Sequence, residues 1–489
     1  MKNLKSFVKV AGVGSAFIIG GCNDDIKINK ESSDTPNVLL IVVDDQGYAD
    51  LSCAGLTDDV STPNIDRLSK SGVRFTNAYA SSPISSPSRG GLLTGCYQQR
   101  WGTKWYGGPG IGDSTFATIP ELLKPNGYNT AYIGKVHYGS HDSDTTHRSF
   151  PLNHGFDYYF GHTSPRKHYL NHNDERESKF LKVKEENESW GQSLRQGALW
   201  ENTSKLDTFA FSTQLFGTKA CEYIEQNKGN KFFLQLSFNA VHNFTHQLPK
   251  EYLKENGLKG YHDWDPSMEG YYEWYQKGRK PNNPEGREHY LGQLYYLDKE
   301  IGRVMDCLES NDILKNTIVF YVSDNGGSTP IYANNYPLRG SKYLLYEGGI
   351  RVPMIISYTG VVKENQVLDN IVSGMDILPT ICMATDLNIP SNINGISLLD
   401  LVSGKEVETA HDTLYWFTGH EYAVRAGKWK LFVSTDDRNA KYEMVEVELG
   451  EFLFDLETDP GETTNLANDY PEVFEQLKHS FKYWKESLK

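Results

Sequence analysis

Four short apolar segments of the chain are each followed directly by a cluster of polar residues. Segments 38–43, 130–133, 232–238 and 317–322 run into Asp44-Asp45, Gly134-Lys135-Val136-His137, Asn239-Ala240-Val241-His242 and Ser323-Asp324-Asn325-Gly326. Nearly continuous apolar strands are typical of a largely parallel sheet that helices cover on both faces. Because the ligands of such sheets lie beyond the carboxyl ends of the strands, we expect the four polar clusters to meet at one site.

Helical periodicity lies between these strands, for example at 62–68 and 290–308. After about residue 395 the pattern changes to short strand-like pieces such as 429–433, and a closing helix is predicted from Pro471 to Leu488. The chain therefore predicts an α/β fold in which a large mixed, mostly parallel sheet is sandwiched by helices over residues 36–395. A smaller C-terminal α+β subdomain is expected over residues 396–489.

The N-terminus has the layout of a secretory signal. Three lysines, Lys2, Lys5 and Lys9, precede an apolar run over 10–19, and Ile19-Gly20-Gly21-Cys22 follows. These last four residues resemble a bacterial lipobox, so we expect a signal peptide over 1–21, a lipid on Cys22 and a tether over 22–35. The alternative is a plain signal peptide with a chance cysteine. Acidic residues after Cys22 resemble a surface-export tag, which predicts a lipoprotein of the outer membrane or cell surface of a Gram-negative bacterium, or else a periplasmic protein.

Composition narrows the classes of function. Of the 489 residues, 38% are hydrophobic, which is enough for a large core, and the net charge of −14 at pH 7 opposes binding to nucleic acid. No apolar stretch reaches the roughly 20 residues of a membrane span, so we expect membrane contact through the lipid alone. The 6 cysteines include Cys22. The odd number that remains, without a CxxC pair, predicts neither a disulfide framework nor a zinc site.

Two of the polar clusters carry oxygen ligands for a metal ion. Asp44 and Asp45 are adjacent carboxylates at one predicted strand end, and they repel each other unless a cation or a proton intervenes. Asp324 and Asn325 add a third carboxylate and an amide oxygen. Because the set is rich in oxygen and poor in imidazole, it suits Ca²⁺ or Mg²⁺ rather than Zn²⁺.

The segment 85–95, Ser-Ser-Pro-Ser-Arg-Gly-Gly-Leu-Leu-Thr-Gly, is a candidate anion site. Pro87 fits the first turn of a helix, with Ser85 or Ser86 just before it. A helix N-terminus offers unpaired N–H groups and a positive dipole end, which favour an anion. A serine-capped helix without any ligand is the alternative.

The same segment resembles the maturation signature Ser-x-Pro-Ser-Arg-x-x-Leu-x-Thr-Gly of the formylglycine-dependent sulfatases. Further stretches resemble this family in the same order, at 37–45, 134–137, 239–242, 338–353 and 454–462. Val136 stands where the family has Trp, and 239–242 lacks the proline of the family's Ala-Pro-His stretch. The resemblance extends from Asn37 to the C-terminus, and it implies the fold of the alkaline phosphatase and sulfatase superfamily.

The resemblance implies a role for each matching residue. Ser85 matches the residue that is converted to formylglycine (3-oxoalanine), whose hydrate attacks sulfur and then expels sulfate. The metal ligands are matched by Asp44, Asp45, Asp324 and Asn325, together with the hydrate oxygen at Ser85, and the usual ion is Ca²⁺, with Mg²⁺ possible. Arg89 matches the residue that holds the hydrate, and His137 matches a base or hydrogen-bond donor beside it. The sulfate clamps are matched by Lys135, His242 and Lys342.

The resemblance also implies an activity, a sulfuric ester hydrolase, and a maturation route. Because position 85 is Ser rather than Cys, it implies the radical-type maturating enzyme of anaerobes. Secretion favours a sulfated carbohydrate, so we expect removal of O-sulfate from a terminal sugar of a glycan. Loops at 98–101, 162–168 and 261–290 are candidate specificity surfaces, although local packing also explains the aromatic residues of 261–290.

Three alternatives stay open from the sequence. One is an aryl sulfatase of broad specificity. Another is a phosphonate or phosphate monoester hydrolase on the same scaffold. The third is a glycan-binding lipoprotein that has lost catalysis.

Overall fold

A large β-sheet forms the centre of the fold. The computed structural model describes residues 35–163, 169–170, 199–206, 208, 210–260, 268–405, 410–437 and 444–488. Within these residues the sheet has ten strands: β1 (Asn37–Val43), β2 (Gly72–Tyr79), β3 (Asn129–Lys135), β4 (Tyr158–His162), β5 (Leu199–Glu201), β6 (Ser204–Leu206), β7 (Phe232–Ser237), β8 (Thr317–Ser323), β9 (Met354–Ser357) and β10 (Gln366–Ser373). Their spatial order is β10-β2-β9-β8-β1-β7-β3-β4-β5-β6.

The sheet is mixed and mostly parallel, as predicted. The consecutive neighbours β8, β1, β7, β3 and β4 run parallel, and β10 runs parallel to β2. Strand β9 is antiparallel to both β2 and β8, and β5 is antiparallel to β4 and β6.

The four strands predicted from the apolar segments lie side by side in the order β8-β1-β7-β3. Val42 of β1 pairs with Ser237 of β7, and Val43 pairs with Ser323 of β8. Gly134 of β3 also pairs with Ser237. The carboxyl ends of the four strands are therefore level, and the polar clusters that follow them emerge at one edge of the sheet.

Strand β1 explains why the sequence pattern is apolar without alternation. Leu39, Ile41 and Val43 pack into one hydrophobic cluster, whereas Val38, Leu40 and Val42 pack into a second. Since successive side chains of a strand point to opposite faces, both faces of the sheet are buried.

Helices cover these two faces. They are α1 (Pro63–Lys70), α2 (Ser85–Thr94), α3 (Ile119–Leu123), α4 (Ser212–Asn227), α5 (Lys250–Glu255), α6 (Tyr271–Lys277), α7 (Gly286–Ser310), α8 (Glu347–Ile350), α9 (Ile377–Ala384) and α10 (Leu399–Val402). Helices α1, α4 and α7 contribute buried residues to the first cluster, and α2, α3, α9 and α10 contribute to the second. The predicted helical sandwich is confirmed. Among the described residues, no helix is both long and apolar enough to cross a membrane.

The C-terminal part forms a smaller antiparallel sheet, as the change of pattern after residue 395 predicts. Its strands are β11 (Thr413–Phe417), β12 (Glu421–Ala426), β13 (Trp429–Ser434) and β14 (Gly450–Asp455), in that order across the sheet. The closing helix α11 (Pro471–Ser487) packs Leu477, Phe481 and Trp484 against this sheet. Residues 35–489 cluster as one compact unit, so the boundary at 395/396 stays a prediction.

A buried charge network joins the smaller sheet to the main body. Lys430 of β13 donates to Glu347 of α8 at 3.0 Å and lies 2.7 Å from a carboxylate oxygen of Glu462, and all three side chains are fully buried. Burial alone would raise the pKa of Glu347, but the positive charges of Lys430, Arg425 and Arg351 outweigh it and hold that pKa at about 2. Burial raises the pKa of Glu462 to about 7, so of the two acids it is Glu347 that keeps its charge beside Lys430.

The structure contains one disulfide, which the pattern of cysteines in the sequence left undecided. Cys221 of α4 and Cys307 of α7 form a disulfide, with a Cα–Cα distance of 5.9 Å, whereas Cys53, Cys96 and Cys382 are free. The two partners are 86 residues apart. Only the packing of α4 on α7 brings them together, which the spacing of cysteines along the chain does not reveal.

The network predicts that Lys430→Met lowers the free energy of unfolding by about 3 kcal/mol, because it leaves the buried carboxylate of Glu347 without this partner. Lys478→Met is the matched control, because Lys478 pairs with Glu451 at 2.8 Å on the surface and should contribute at most about 1 kcal/mol. Urea denaturation of both variants measures the difference. Equal stability losses in the two variants would contradict the proposed importance of the network.

Candidate active site

The level strand ends bring the predicted site residues together. Asp44 and Asp45 follow β1, Asp324 and Asn325 follow β8, and Lys135 ends β3. All five side chains are buried. Asp45 takes a φ of +59°, in the left-handed region that Asp tolerates better than most residues. Ligand atoms of Asp44, Asp45 and His242, which follows β7, lie within 4.8 Å of one another.

Ser85 lies at the centre of this cluster. Its Oγ is 2.9 Å from Asn325 Oδ1 and 3.2 Å from Asp44 Oδ1, and the side chain is 1% exposed. The sequence placed Ser85 or Ser86 before the helix, but Ile84 is the N-cap and Ser85 is the first residue of α2. Every residue of α2 is buried, so this helix start faces the protein interior.

Close packing around α2 requires a small residue at position 91. A Cβ at Gly91 would lie 2.4 Å from Ser81 Oγ and 3.1 Å from the carbonyl oxygen of Cys96. The glycine therefore lets the helix sit against the preceding loop, which sets the position of Ser85.

Arg89 lies one helical turn after Ser85 and holds three parts of the site. Its Nε donates to Asp324 Oδ2 at 2.8 Å, and its Nη1 donates to the Lys135 carbonyl and to Ser237 Oγ. Burial opposes the charge, yet Asp324 and Asp44 raise the pKa of Arg89 above its ordinary value. The guanidinium therefore stays positive in the interior.

Two lysines complete the positive charge of the cluster. Lys135 Nζ contacts Asp44 Oδ2, and Lys342 Nζ donates to Asp45 Oδ2 at 2.7 Å. Burial lowers the pKa of Lys135. The pKa of Lys342 is raised, because the nearby carboxylates, Asp45 above all, outweigh the effect of burial. Three basic side chains thus face the three acidic side chains of Asp44, Asp45 and Asp324, and burial raises the pKa of Asp44 to about 7.

Two histidines border the cluster. His242 Nε2 lies 3.5 Å from Asp45 Oδ2 and 3.3 Å from Asn243 Nδ2. His137 takes a φ of +53°, and no described residue hydrogen-bonds to its Nδ1. Burial, with Lys135 and Arg89 adding to it, lowers the pKa of His137 well below its usual value. His137 is therefore a neutral imidazole with an available ring nitrogen.

Some residues of the site were not found from the sequence. Ser237 ends β7 and accepts a hydrogen bond from Arg89, and a hydroxyl at the end of an apolar strand is the signal that could have identified it. Tyr169 donates to the carbonyls of Asn239 and His242 at 3.0 and 2.9 Å, which fixes the loop that carries His242. Nothing in the sequence near Tyr169 marks it for this role.

The structure supports different roles for the residues of the three candidate specificity loops. Gln98 and Gln99 are buried and donate to the backbone carbonyls of Ser81 and Phe417, so this part of 98–101 is structural. Residues 164–168 and 261–267 lie outside the described residues. Trp274 is fully buried and stacks on Phe244, which favours the packing interpretation for that residue.

A small cavity, with room for about one water molecule, lies beside the segment that follows His242. Its walls are Asn243, Phe244, Thr245, His246, Trp274, Tyr275, Gly278, Arg279 and Ile331. Tyr275 donates to Asn243 Oδ1 at 3.0 Å, and the Arg279 guanidinium lies 5.0 Å from the Tyr275 ring centroid. The cavity therefore combines aromatic faces with polar and cationic groups.

Comparison with known proteins decides the family. Residues 36–387 match the family model for sulfatases, and residues 340–487 match the model for the C-terminal region of N-sulphoglucosamine sulphohydrolase. This chain belongs to the sulfatase family. It is therefore a sulfuric ester hydrolase.

The relatives of this sulfatase cover nearly the whole chain. It is 28% identical to an N-acetylgalactosamine-6-O-sulfatase of Bacteroides thetaiotaomicron, with 98% of each chain covered. It is also 28% identical to arylsulfatase D of Homo sapiens, with 89% of this chain and 83% of that protein covered. Among solved structures it is similar to Ps i-CgsB in complex with k-i-k-neocarrahexaose, with a TM-score of 0.75, 26% identity, and 93% and 94% of the two chains covered.

The donor set of the sulfatase fits one hard divalent cation. Three buried carboxylates and the amide oxygen of Asn325 are the ligand types that Ca²⁺ and Mg²⁺ prefer. The structure adds His242, which lies at metal-ligand spacing from Asp44 and Asp45 although the sequence assigned it to sulfate. Adjacent buried carboxylates need compensating charge, which a divalent ion supplies.

We expect Ca²⁺ to raise the melting temperature of chelator-treated sulfatase. An ion that binds only the folded state stabilises it by about 2.7 kcal/mol at 100 times its Kd. Asp324→Asn removes one carboxylate and should lose most of this shift. Asp298→Asn changes a buried carboxylate that caps α1, and it should keep the Ca²⁺-dependent increment whatever its own stability. Scanning calorimetry with and without Ca²⁺ makes the comparison, and equal shifts in wild type and Asp324→Asn would contradict the site.

Proposed function

We propose that this sulfatase removes an O-sulfate group from the terminal sugar of a sulfated glycan, with a formylglycine made from Ser85 and one divalent cation. The observation that carries the proposal is the position of Ser85 Oγ, which is buried between Asn325 Oδ1 and Asp44 Oδ1. A plain serine in this place would form a stable sulfate ester. A formylglycine supplies a hydrated aldehyde with one oxygen for attack on sulfur and a second for release of sulfate.

The chain's own residues would hold the substrate and its charge. Asp44, Asp45, Asp324 and Asn325 would hold the cation, which supplies positive charge to the sulfate oxygens. Lys135 and Lys342 contact the carboxylates of Asp44 and Asp45. Because a divalent ion would compensate those carboxylates, the two ammonium groups could then bind the non-bridging oxygens of the sulfate.

Arg89, His137 and His242 would orient groups and move protons. Arg89 keeps Asp324 and the Lys135 backbone in place, one turn from Ser85. His137, as a neutral imidazole, can form a hydrogen bond to the hydrate through its Nδ1. His242 lies at the edge of the acidic cluster, with its Nε2 3.5 Å from Asp45 Oδ2, and we assign to it the proton that the leaving sugar oxygen requires.

Two observations support a glycan substrate and action at a chain end. The relative that matches 98% of the chain is named for 6-O-desulfation of N-acetylgalactosamine, and the solved structure of Ps i-CgsB holds k-i-k-neocarrahexaose. The net charge of −14 disfavours grip along a long polyanion.

We also propose how this protein is processed and where in the cell it is located. Ser at position 85 favours maturation by a radical-type anaerobic enzyme before export. Residues 1–34 lie outside the described residues, and their sequence favours a signal peptide followed by a lipid on Cys22 and attachment to the outer membrane or cell surface.

Maturation predicts a mass change at Ser85. After co-expression with a radical-type maturating enzyme under anaerobic conditions, the Ser85 peptide should be lighter by two hydrogens. Ser85→Ala should abolish both the mass change and turnover, because the nucleophile is lost. Ser86→Ala is the control, since Ser86 occupies a variable position of the signature and should retain the mass change. Mass spectrometry decides, and full activity with Ser85 unmodified would contradict the proposal.

Action on the terminal sugar predicts the order in which the sulfate groups of an oligosaccharide are released. On an oligosaccharide that carries the same sulfated sugar at its end and internally, the terminal sulfate should be released first, because the acidic net charge disfavours binding along the length of a polyanion. Time courses by chromatography measure the order. Earlier release of internal sulfate would refute the exo mode. Activity confined to aryl sulfates, or to phosphonates and phosphate esters, would favour the alternative functions instead.

A further inference from the structure

A cluster of aromatic side chains lies on the surface beside Lys342, and the functions assigned above do not use it. Trp105 is its centre. The Trp105 ring centroid is 5.0 Å from that of His420, 5.9 Å from that of Tyr106 and 6.0 Å from that of Tyr343. We call Trp105, Tyr106, Tyr343 and His420 the aromatic platform.

The platform is anchored to the reaction centre through Tyr343. This residue directly follows Lys342, whose Nζ donates to Asp45. The Tyr343 backbone N–H donates to the carbonyl of Pro83 at 2.8 Å, and Pro83 lies two residues before Ser85. Tyr343 also takes a φ of +72°, a conformation that non-glycine residues adopt at some cost in free energy. Its position is therefore set by the segments that carry Lys342 and Ser85.

Both parts of the fold contribute to the platform. Trp105 and Tyr106 belong to a loop of the main body that follows α2, whereas His420 lies in the turn between β11 and β12 of the smaller sheet. Lys104 adds a second link, because its Nζ lies 5.3 Å from the centroid of the Phe417 ring in β11. The smaller sheet thus contributes one residue of the platform and contacts the loop that carries Trp105 and Tyr106.

The platform is open to solvent. Tyr106 is 62% exposed, and Trp105, Tyr343 and His420 are partly exposed. A contiguous apolar patch that reaches the surface of a soluble protein often marks a binding site. Trp and Tyr combine a broad apolar face with a polar edge. That combination matches a sugar ring, which has an apolar C–H face and hydroxyls around its edge.

The position of the platform next to Lys342 indicates which part of a glycan binds there. In the proposed exo mode the reaction centre takes the terminal sugar, so the rest of the glycan must extend away from that centre. Exposed aromatic faces next to Lys342 provide a surface for the ring that follows. Stacking of an aromatic ring on a sugar ring involves no charged group, so the negative net charge of the protein does not weaken it.

We propose that the aromatic platform stacks on the second sugar of the substrate, the ring linked to the sulfated terminal sugar. This inference rests on the proposed function and adds to it a preference for oligosaccharides over monosaccharides. Trp105 and Tyr106 are specificity residues in this proposal, and they do not touch the reacting atoms.

Kinetics on paired substrates test the platform. The probes are N-acetylgalactosamine 6-sulfate and a disaccharide with this sugar at its non-reducing end. Trp105→Ala should raise KM for the disaccharide about 10-fold, as expected for about 1.4 kcal/mol of lost stacking, with kcat changed less than about 2-fold. KM for the monosaccharide should change less than about 2-fold. Trp105→Phe should restore most of the affinity because it keeps an aromatic face.

Tyr106→Ala should act in the same direction as Trp105→Ala. Tyr483→Ala is the matched control, since Tyr483 is 73% exposed on α11 and takes no part in the platform. It should leave both KM values unchanged. Equal KM changes for both substrates, or none for either, would overturn the proposal. A loss that also affects kcat would indicate damage to the reaction centre and would overturn it as well.

A binding measurement separates this inference from the proposed function. Protein with unmodified Ser85 has no formylglycine, so calorimetry reports affinity without turnover. It should bind the disaccharide about 10-fold more tightly than the monosaccharide, and Trp105→Ala should remove that difference. If the matured enzyme fails to release sulfate while this difference is present, the proposed function fails and the platform stands. If the two sugars bind equally, the platform fails.

Discussion

Compensation of buried charge at one edge of the sheet is the constraint on which the site depends. Asp44, Asp45 and Asp324 are withdrawn from water, and an uncompensated carboxylate in such a place is strongly destabilising. Arg89, Lys135 and Lys342 supply three positive charges at the same point. The same arrangement that allows these acids to be buried therefore also assembles the cations that an anionic sulfate ester requires.

A second network of buried charged residues connects the active-site cluster to the smaller sheet. Lys342 and Glu347 are five residues apart in one segment, and they face different partners. Lys342 contacts Asp45 in the site, whereas Glu347 contacts Lys430 of β13. Tyr79 donates to Glu347 and accepts from Arg425 of β12, which ties β2 into the same network. The segment 342–347 thus positions a site residue and fastens the C-terminal part to the main body.

This connection gives the smaller sheet a role in the proposed function. The turn between β11 and β12 supplies His420, which contacts Trp105 at the platform. Gln99 donates to the Phe417 carbonyl at 3.0 Å, so the loop after α2 rests on β11. A glycan that contacts the platform would therefore meet side chains from both parts of the chain, while the chemistry stays at the ends of the parallel strands.

The sequence by itself determined the features that are local or that depend on a continuous apolar run along one strand. Apolar runs with both faces buried predicted β1, β3, β7 and β8, and level parallel strands have their carboxyl ends on one edge, which placed Asp44, Lys135, His242 and Asp324 together. Only the tertiary structure decided the contacts between distant segments. Cys221 meets Cys307 because α4 packs on α7, Tyr169 holds the His242 loop, and Trp105 meets His420 across the two sheets. Such pairs leave no periodic trace in the sequence, because each depends on how whole elements pack.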